Sequence, residues 1–403
     1  MSKLSNLWLN CAGLPRPVTA VLAALHFRKS SAAQLRELRE AERQEVLDWC
    51  DRQGLTLLLR DVLPDTVAER ARKNRLRLQT AQETYRRLSD LPGEFIALKG
   101  ITQCELFGIR PEDRAQYDID LYFPRGTAEA ARDALLARNY ESIEGTEKFP
   151  TDHLPGLFPR TDWRWRGDYF DPEMPLAVEL HFRFWNAKLE RLDAAGVDEF
   201  WERRVRRTIG GAELSVLCPQ DMVAYAALHL LKHVLHGSTR VFHVYELASF
   251  LERQAEDSRF WEEWRHLHAR DLRRLQAVSF ALAESWFGCR LSPAAREEIA
   301  GLPGSTRAWF GEFAASPATQ MFRPNKDELW LHLSLLEGAR DQWAVARRKL
   351  FPANLPPPSR ATESRSRREV WVAWFASRLR HHVLSLVNMV ASGWRWRRRI
   401  RRG

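Results

Sequence analysis

The chain has 403 residues, 45% of them hydrophobic, enough for a substantial core and for two or three domains. Its formal charge of +10, from 62 Lys and Arg against 52 Asp and Glu, gathers largely in the closing run "RWRRRIRRG" from Arg395, so the near-neutral body argues against a surface that binds nucleic acid throughout. Five dispersed cysteines without a CxxC pair exclude a recognisable zinc motif, and there is neither a signal-peptide pattern nor a run of roughly 18 apolar residues that could span a membrane; the expectation is a cytoplasmic protein, at most membrane-peripheral.

In chain order, residues 1–90 read as a helical region. "SAAQLRELREAERQEVLDWCDRQG" has apolar residues at helical spacing and stops at Gly54, and "DTVAERARKNRLRLQTAQETYRRLSDLPG" repeats the pattern and stops at Pro92-Gly93. Between 91 and 218 strands alternate with helices: "EFIALKG" as a short strand, "ITQCELFGI" as helical, "DIDLYF" as a strand, "GTAEAARDALLARNY" as a helix, "YESIE" as strand-like and "LAVELHFRF" as a strong strand. The Pro-, Gly- and aromatic-rich stretch 145–175 is longer than an idle connection and reads as a substrate-facing loop or an irregular hairpin. From Pro219 to about residue 350 helical patterns make a further domain, "FPANLPPPSRATESRSRRE" (351–369) is a linker by composition, and 370–403 reads as one apolar helix with a basic end. The fold class expected is α+β, a small mixed sheet flanked by an N-terminal helical region and a C-terminal helical domain.

The chemistry is carried by "QYDIDLYF". Side chains alternate along a strand, so Asp118 and Asp120 share one face, about 7 Å apart, while Ile119 and Leu121 fill the core on the other. A buried unpaired carboxylate is costly, and two at a strand end can be compensated by Mg²⁺ through oxygen ligands, with nucleotide phosphates completing the shell. Glu179 interrupts "AVELHF" just as unexpectedly and is the candidate third carboxylate of a two-metal site. The competing reading is a solvent-facing acidic sheet surface.

The order "FIALKGITQCELFGIRPEDRAQYDIDLYF", then "VELHFRF", resembles the bacterial family of uncharacterised nucleotidyltransferases, a branch of the DNA polymerase β-like superfamily. The resemblance rests on Leu98-Lys99-Gly100, Arg114, Asp118-Ile119-Asp120 and Glu179-Leu180-His181, and extends from about Leu38 to about Pro352, with "RRKLFPANL" similar to a late family signature. It implies Mg²⁺ (or Mn²⁺) on Asp118, Asp120 and Glu179, an NTP as substrate, and transfer of its nucleoside monophosphate to a hydroxyl of a small molecule, saccharide, protein or RNA end. The wider superfamily has Gly-Ser or Gly-Gly shortly before its Asp-x-Asp. Here Lys99-Gly100 precedes Ile101 and a longer spacer, so Lys99 is expected to act as a point charge on the triphosphate, helped by the Gly100 backbone, the following helix N-terminus and Arg114. The missing Ser equally fits a catalytically inactive nucleotide-binding or scaffold protein.

In "HLLKHVLHG", His229, His233 and His236 share a helical face, but Leu230 stands where a zincin needs Glu; helix packing or lining the cleft is expected rather than a metal. His153 and His181 sit near the motif strands, as acceptor-side groups or structural imidazoles. "TDWRWRGDYF" interleaves arginines with aromatics and reads equally as a stacking surface or as loop packing. The tail, with Trp371, Trp374, Trp394 and Trp396 among arginines, suits an anionic membrane surface, a nucleic-acid phosphate backbone, or simple packing of a terminal helix.

Overall fold

A computed structural model describes residues 14–142, 152–320, 322–351 and 367–401. Seven strands, β1 (Ile96–Leu98), β2 (Asp118–Tyr122), β3 (Tyr140–Ser142), β4 (Leu157–Pro159), β5 (Ala177–His181), β6 (Val205–Ile209) and β7 (Ala212–Val216), form one mixed sheet in the order β3-β4-β5-β2-β1-β7-β6. Helices flank it before and after in the chain, giving the α+β class expected. β2 pairs parallel with β5 and antiparallel with β1, which puts the two acidic strands side by side at the centre. The alternation holds: Ile119, Leu121, Val178 and Leu180 are completely buried.

The helix Pro64–Leu88 forms where the apolar spacing predicts one, and two of its polar residues are buried. Asn74 donates to the carbonyls of Glu112 and Arg114 at 2.9 and 3.3 Å, and Arg77 to those of Asp171, Met174 and Gln116 at 2.7, 3.2 and 2.7 Å. These bonds satisfy loop carbonyls that burial would otherwise leave unpaired, and they fix the segment entering β2.

Several elements differ from the sequence reading for identifiable reasons. The lead-in helix is divided into Ala33–Arg36 and Glu40–Gln53, with Gly54 at φ 74° closing the second part as expected. "ITQCELFGI" makes only a 3₁₀ turn and the four-residue helix Cys104–Phe107, ended by left-handed Gly108. The hairpin β6–β7 carries Gly210 and Gly211 at φ 59° and 85°, as a two-residue turn requires, and a Cβ on Gly210 would come within 2.8 Å of Gln82. The strand-like reading of "YESIE" reaches Ser142, and its last two residues, like most of the linker, lie outside the described residues.

In the helical part, Arg270–Phe287 packs against both Pro219–His236 and Val241–Gln254. The terminal helix Arg367–Ile400 docks through its second half: Trp396 stacks on Trp330 at 5.4 Å and donates to the Ser305 carbonyl at 3.0 Å, and Arg395 pairs with Glu312. Its other side exposes Val372, Phe375, Leu379, Val387, Val390 and Trp394, while the side chains of Trp371 and Trp374 lie outside the described ones. Among the described residues no helix is long and apolar enough to cross a membrane.

His332, fully buried on the helix Glu328–Leu335, joins this helical part to the sheet region by donating from Nε2 to the Glu190 carbonyl at 2.7 Å. Burial pushes its pKa down to about 4, with Lys349 and Arg348 adding to the effect and the Glu190 carbonyl opposing it. Because the folded value lies below the unfolded one near 6.5, the unfolded chain takes up the proton first on acidification. The contribution is complete above the unfolded value and is lost as pH falls toward the folded one. Stability measured by urea unfolding should therefore drop by about 2 kcal/mol from this residue between about pH 7 and about pH 5. His332→Gln should flatten that part of the profile; an unchanged slope would remove His332 as its source.

Candidate active site

Asp120 stands directly opposite Glu179 in the parallel β2–β5 pair, and Asp118 opposite Ala177, so the three carboxylates share one face of the sheet. His181, two residues beyond Glu179, lies on that face too. Its Nε2 donates to Asp120 Oδ1 at 2.8 Å and lies 3.6 Å from Glu179 Oε2. Donor atoms of Asp120, Glu179 and His181 all lie within 4.8 Å of one another. His153 reaches the group because residues 152–154 run along β5, with Leu154 N donating to Leu180 O and Phe182 N to Asp152 O; its Nε2 is 3.7 Å from Glu179 Oε2.

Lys99 follows β1 and places Nζ 3.0 Å from Asp120 Oδ1. Its backbone has φ 45°, a conformation that side chains with a Cβ rarely adopt, and Gly100 follows at φ 64°. A Cβ on Gly100 would sit 2.6 Å from the Gln116 amide. Gln116 needs that approach: its Oε1 accepts from Ile101 N at 3.2 Å, while Nε2 donates to Asp118 O at 2.8 Å and to the Tyr85 hydroxyl at 3.3 Å. One buried amide thus clamps the Lys99-Gly100 turn onto the strand that carries the acids.

The charges are unequally compensated. Burial alone would raise the Asp120 pKa, but Lys99 and then His181 outweigh it and hold the carboxyl well below the usual range. Glu179 is likewise lowered against the opposing effect of burial, through His181 and His153. His181 is raised despite burial, by its bonds to Asp120 and Glu179. Asp118 has no such partner. Burial first, then the charges of Asp120 and Glu179, push its carboxyl up to about 6. Asp118 therefore carries the least compensated charge of this face, beside the converging atoms of Asp120, Glu179 and His181, and with three carboxylates the face is oxygen-rich in the way that suits Mg²⁺ or Mn²⁺.

The other sequence-derived candidates lie as follows. Arg114 is buried with Nε 2.9 Å from Glu246 Oε1 and its guanidinium over the Phe242 ring, so it ties the approach to β2 to the helix Val241–Gln254. The short turns after Gly100 leave no extended helix there whose dipole could aid phosphate binding. His236 pairs with Glu190 at 2.9 Å, whereas His229 and His233 meet a residue that helical spacing cannot reveal, His243 of the next helix. Lys232 of the same helix reaches Asp152 at 3.0 Å. In "TDWRWRGDYF", Trp163 donates to Asp171 at 2.9 Å, Arg166 pairs with Glu173, Lys73 holds Asp168, and Trp165 packs edge-on against Tyr169, as a self-packed loop would.

Residues 39–288 match the model of a family described as "Uncharacterised nucleotidyltransferase". No curated protein and no solved structure matches the chain.

Proposed function

Since the chain belongs to the uncharacterised nucleotidyltransferase family, we propose that it transfers a nucleoside monophosphate from an NTP to an acceptor hydroxyl on the Asp118–Asp120–Glu179 face. The observation that carries this reading is Asp118, a largely buried carboxylate without a side-chain partner among the described residues, set beside the paired Asp120 and Glu179. Asp118, Asp120 and Glu179 would hold Mg²⁺ or Mn²⁺. A bound ion supplies Lewis-acid charge to the α-phosphate and to the departing pyrophosphate.

The chain's own groups do the rest. Lys99 brings a fixed ammonium to the phosphate side of the site, and its strained backbone is held by the Gln116 clamp. Glu179, kept ionised beside His181 and His153, accepts the acceptor hydroxyl's proton. The acceptor oxygen bonds to the α-phosphorus, the α–β anhydride bond breaks, and pyrophosphate leaves with the electron pair. His153, partly exposed at the edge of the carboxylates, is placed to touch the acceptor.

The test is a thermal-shift titration with each of the four NTPs, with and without Mg²⁺, on wild type and on Asp118→Ala with Asp120→Ala. A Mg²⁺-dependent rise in melting temperature that the double variant loses is expected. No shift at millimolar nucleotide would overturn the active-enzyme reading and favour a scaffold that has lost its nucleotide.

A further inference from the structure

Three imidazoles are unused by the reaction above. His229 and His233 lie one turn apart on the helix Pro219–His236, and His243 sits in the first turn of Val241–Gln254, brought back by the turn that starts at left-handed Gly237. Their rings form a triangle with centroids 4.4, 5.1 and 5.6 Å apart, and one nitrogen of each falls within 4.8 Å of the others. We propose that His229, His233 and His243 form a binding site for a transition-metal dication of the Zn²⁺ class, separate from the carboxylate site and independent of nucleotidyl transfer.

Two observations besides proximity point to a ligand. Nδ1 of His229 and Nδ1 of His243 are buried with no hydrogen-bond partner, a cost that a native structure rarely leaves unexplained. Nδ1 of His233 lies 3.0 Å from Ser238 Oγ, which orients that ring and leaves Nε2 as its free nitrogen, the arrangement by which a second partner fixes a metal-binding imidazole. Burial, followed by neighbouring Lys and His groups, keeps all three well below the ordinary histidine pKa, so they stand as the neutral, ligating form.

The surrounding cations do not forbid a dication, because nearly all are already paired. Lys99 is on Asp120, Lys232 on Asp152 and Arg114 on Glu246, while Arg240 lies over the Tyr117 ring. Three imidazoles favour Zn²⁺, Co²⁺ or Ni²⁺ over Mg²⁺, which prefers oxygen. Tetrahedral binding brings ligand nitrogens to roughly 3.3 Å of one another, so the rings must close by up to about 1.5 Å, and the fourth position is left to water.

The probe is Co²⁺, followed by its visible absorption, and Zn²⁺, followed by competition, on chelator-stripped full-length protein. Wild type should bind one equivalent more tightly than His243→Ala by roughly 100-fold or more, with a tetrahedral Co²⁺ spectrum that the variant lacks. His243→Gln repeats the comparison if the alanine variant unfolds, and circular dichroism shows which has. An Asp118→Asn background should keep the His243-dependent equivalent. Equal binding by wild type and both His243 variants, or loss of the equivalent with Asp118→Asn alone, would overturn the site. A nucleotide titration that fails while this one succeeds would leave the metal site standing and remove only the transferase reading.

Discussion

Asp118→Asn should lower nucleotidyl transfer by on the order of 10³-fold or more while raising the melting temperature of the metal-free protein. The two effects share a cause. Asp118 is the carboxylate whose charge burial, Asp120 and Glu179 oppose, so a neutral isostere relieves repulsion on the order of 1–3 kcal/mol and removes the charge a bound cation needs. Asp120→Asn should abolish transfer as fully yet destabilise the fold, because Lys99 and His181 would lose the buried carboxylate to which both are joined at 3.0 and 2.8 Å. Pyrophosphate release measures the first effect, and urea unfolding the second. If both variants destabilised alike, Asp118 would have a compensating partner and its place in a cation site would fall.

How far this site could be read from the chain follows from the range of the contacts that build it. Alternation in "DIDLYF" was enough to separate Asp118 and Asp120 from Ile119 and Leu121, because a strand's faces are a local property. Glu179 stood out for the same reason, as a charge inside an apolar run. Its position opposite Asp120 is a pairing across the sheet, which strand patterns do not specify. His243 escaped because helical spacing relates residues of one helix only; the signal available was Gly237, a helix stop placed just before a second helix that carries a histidine in its first turn. The burial of Asn74 and Arg77 is not legible in the sequence, because their partners are backbone carbonyls, which no side-chain pattern reports. The hairpin β6–β7 went unread although its signal was present, since the Gly210-Gly211 pair needed for two positive φ angles stands in the sequence between alternating segments.

The second large effect separates position from binding at Arg114. Arg114→Ala should destabilise the protein by about 3–5 kcal/mol, because it leaves the Glu246 carboxylate, only 3% exposed, without its guanidinium. The pair joins the segment entering β2 to the helix that bears His243, and Asn74 holds the Arg114 carbonyl from the other side, so its loss should also loosen Asp118. Arg114→Met with Glu246→Leu should recover most of the stability, since both charges go and apolar volume replaces them. Transfer then distinguishes the two roles that an arginine ahead of an Asp-x-Asp can have. If the double variant regains transfer together with stability, Arg114 is a positioning residue whose charge serves Glu246. If it folds as well as wild type but shows a raised KM for NTP, the guanidinium meets the phosphates, and its bond to Glu246 is the state from which it must be released.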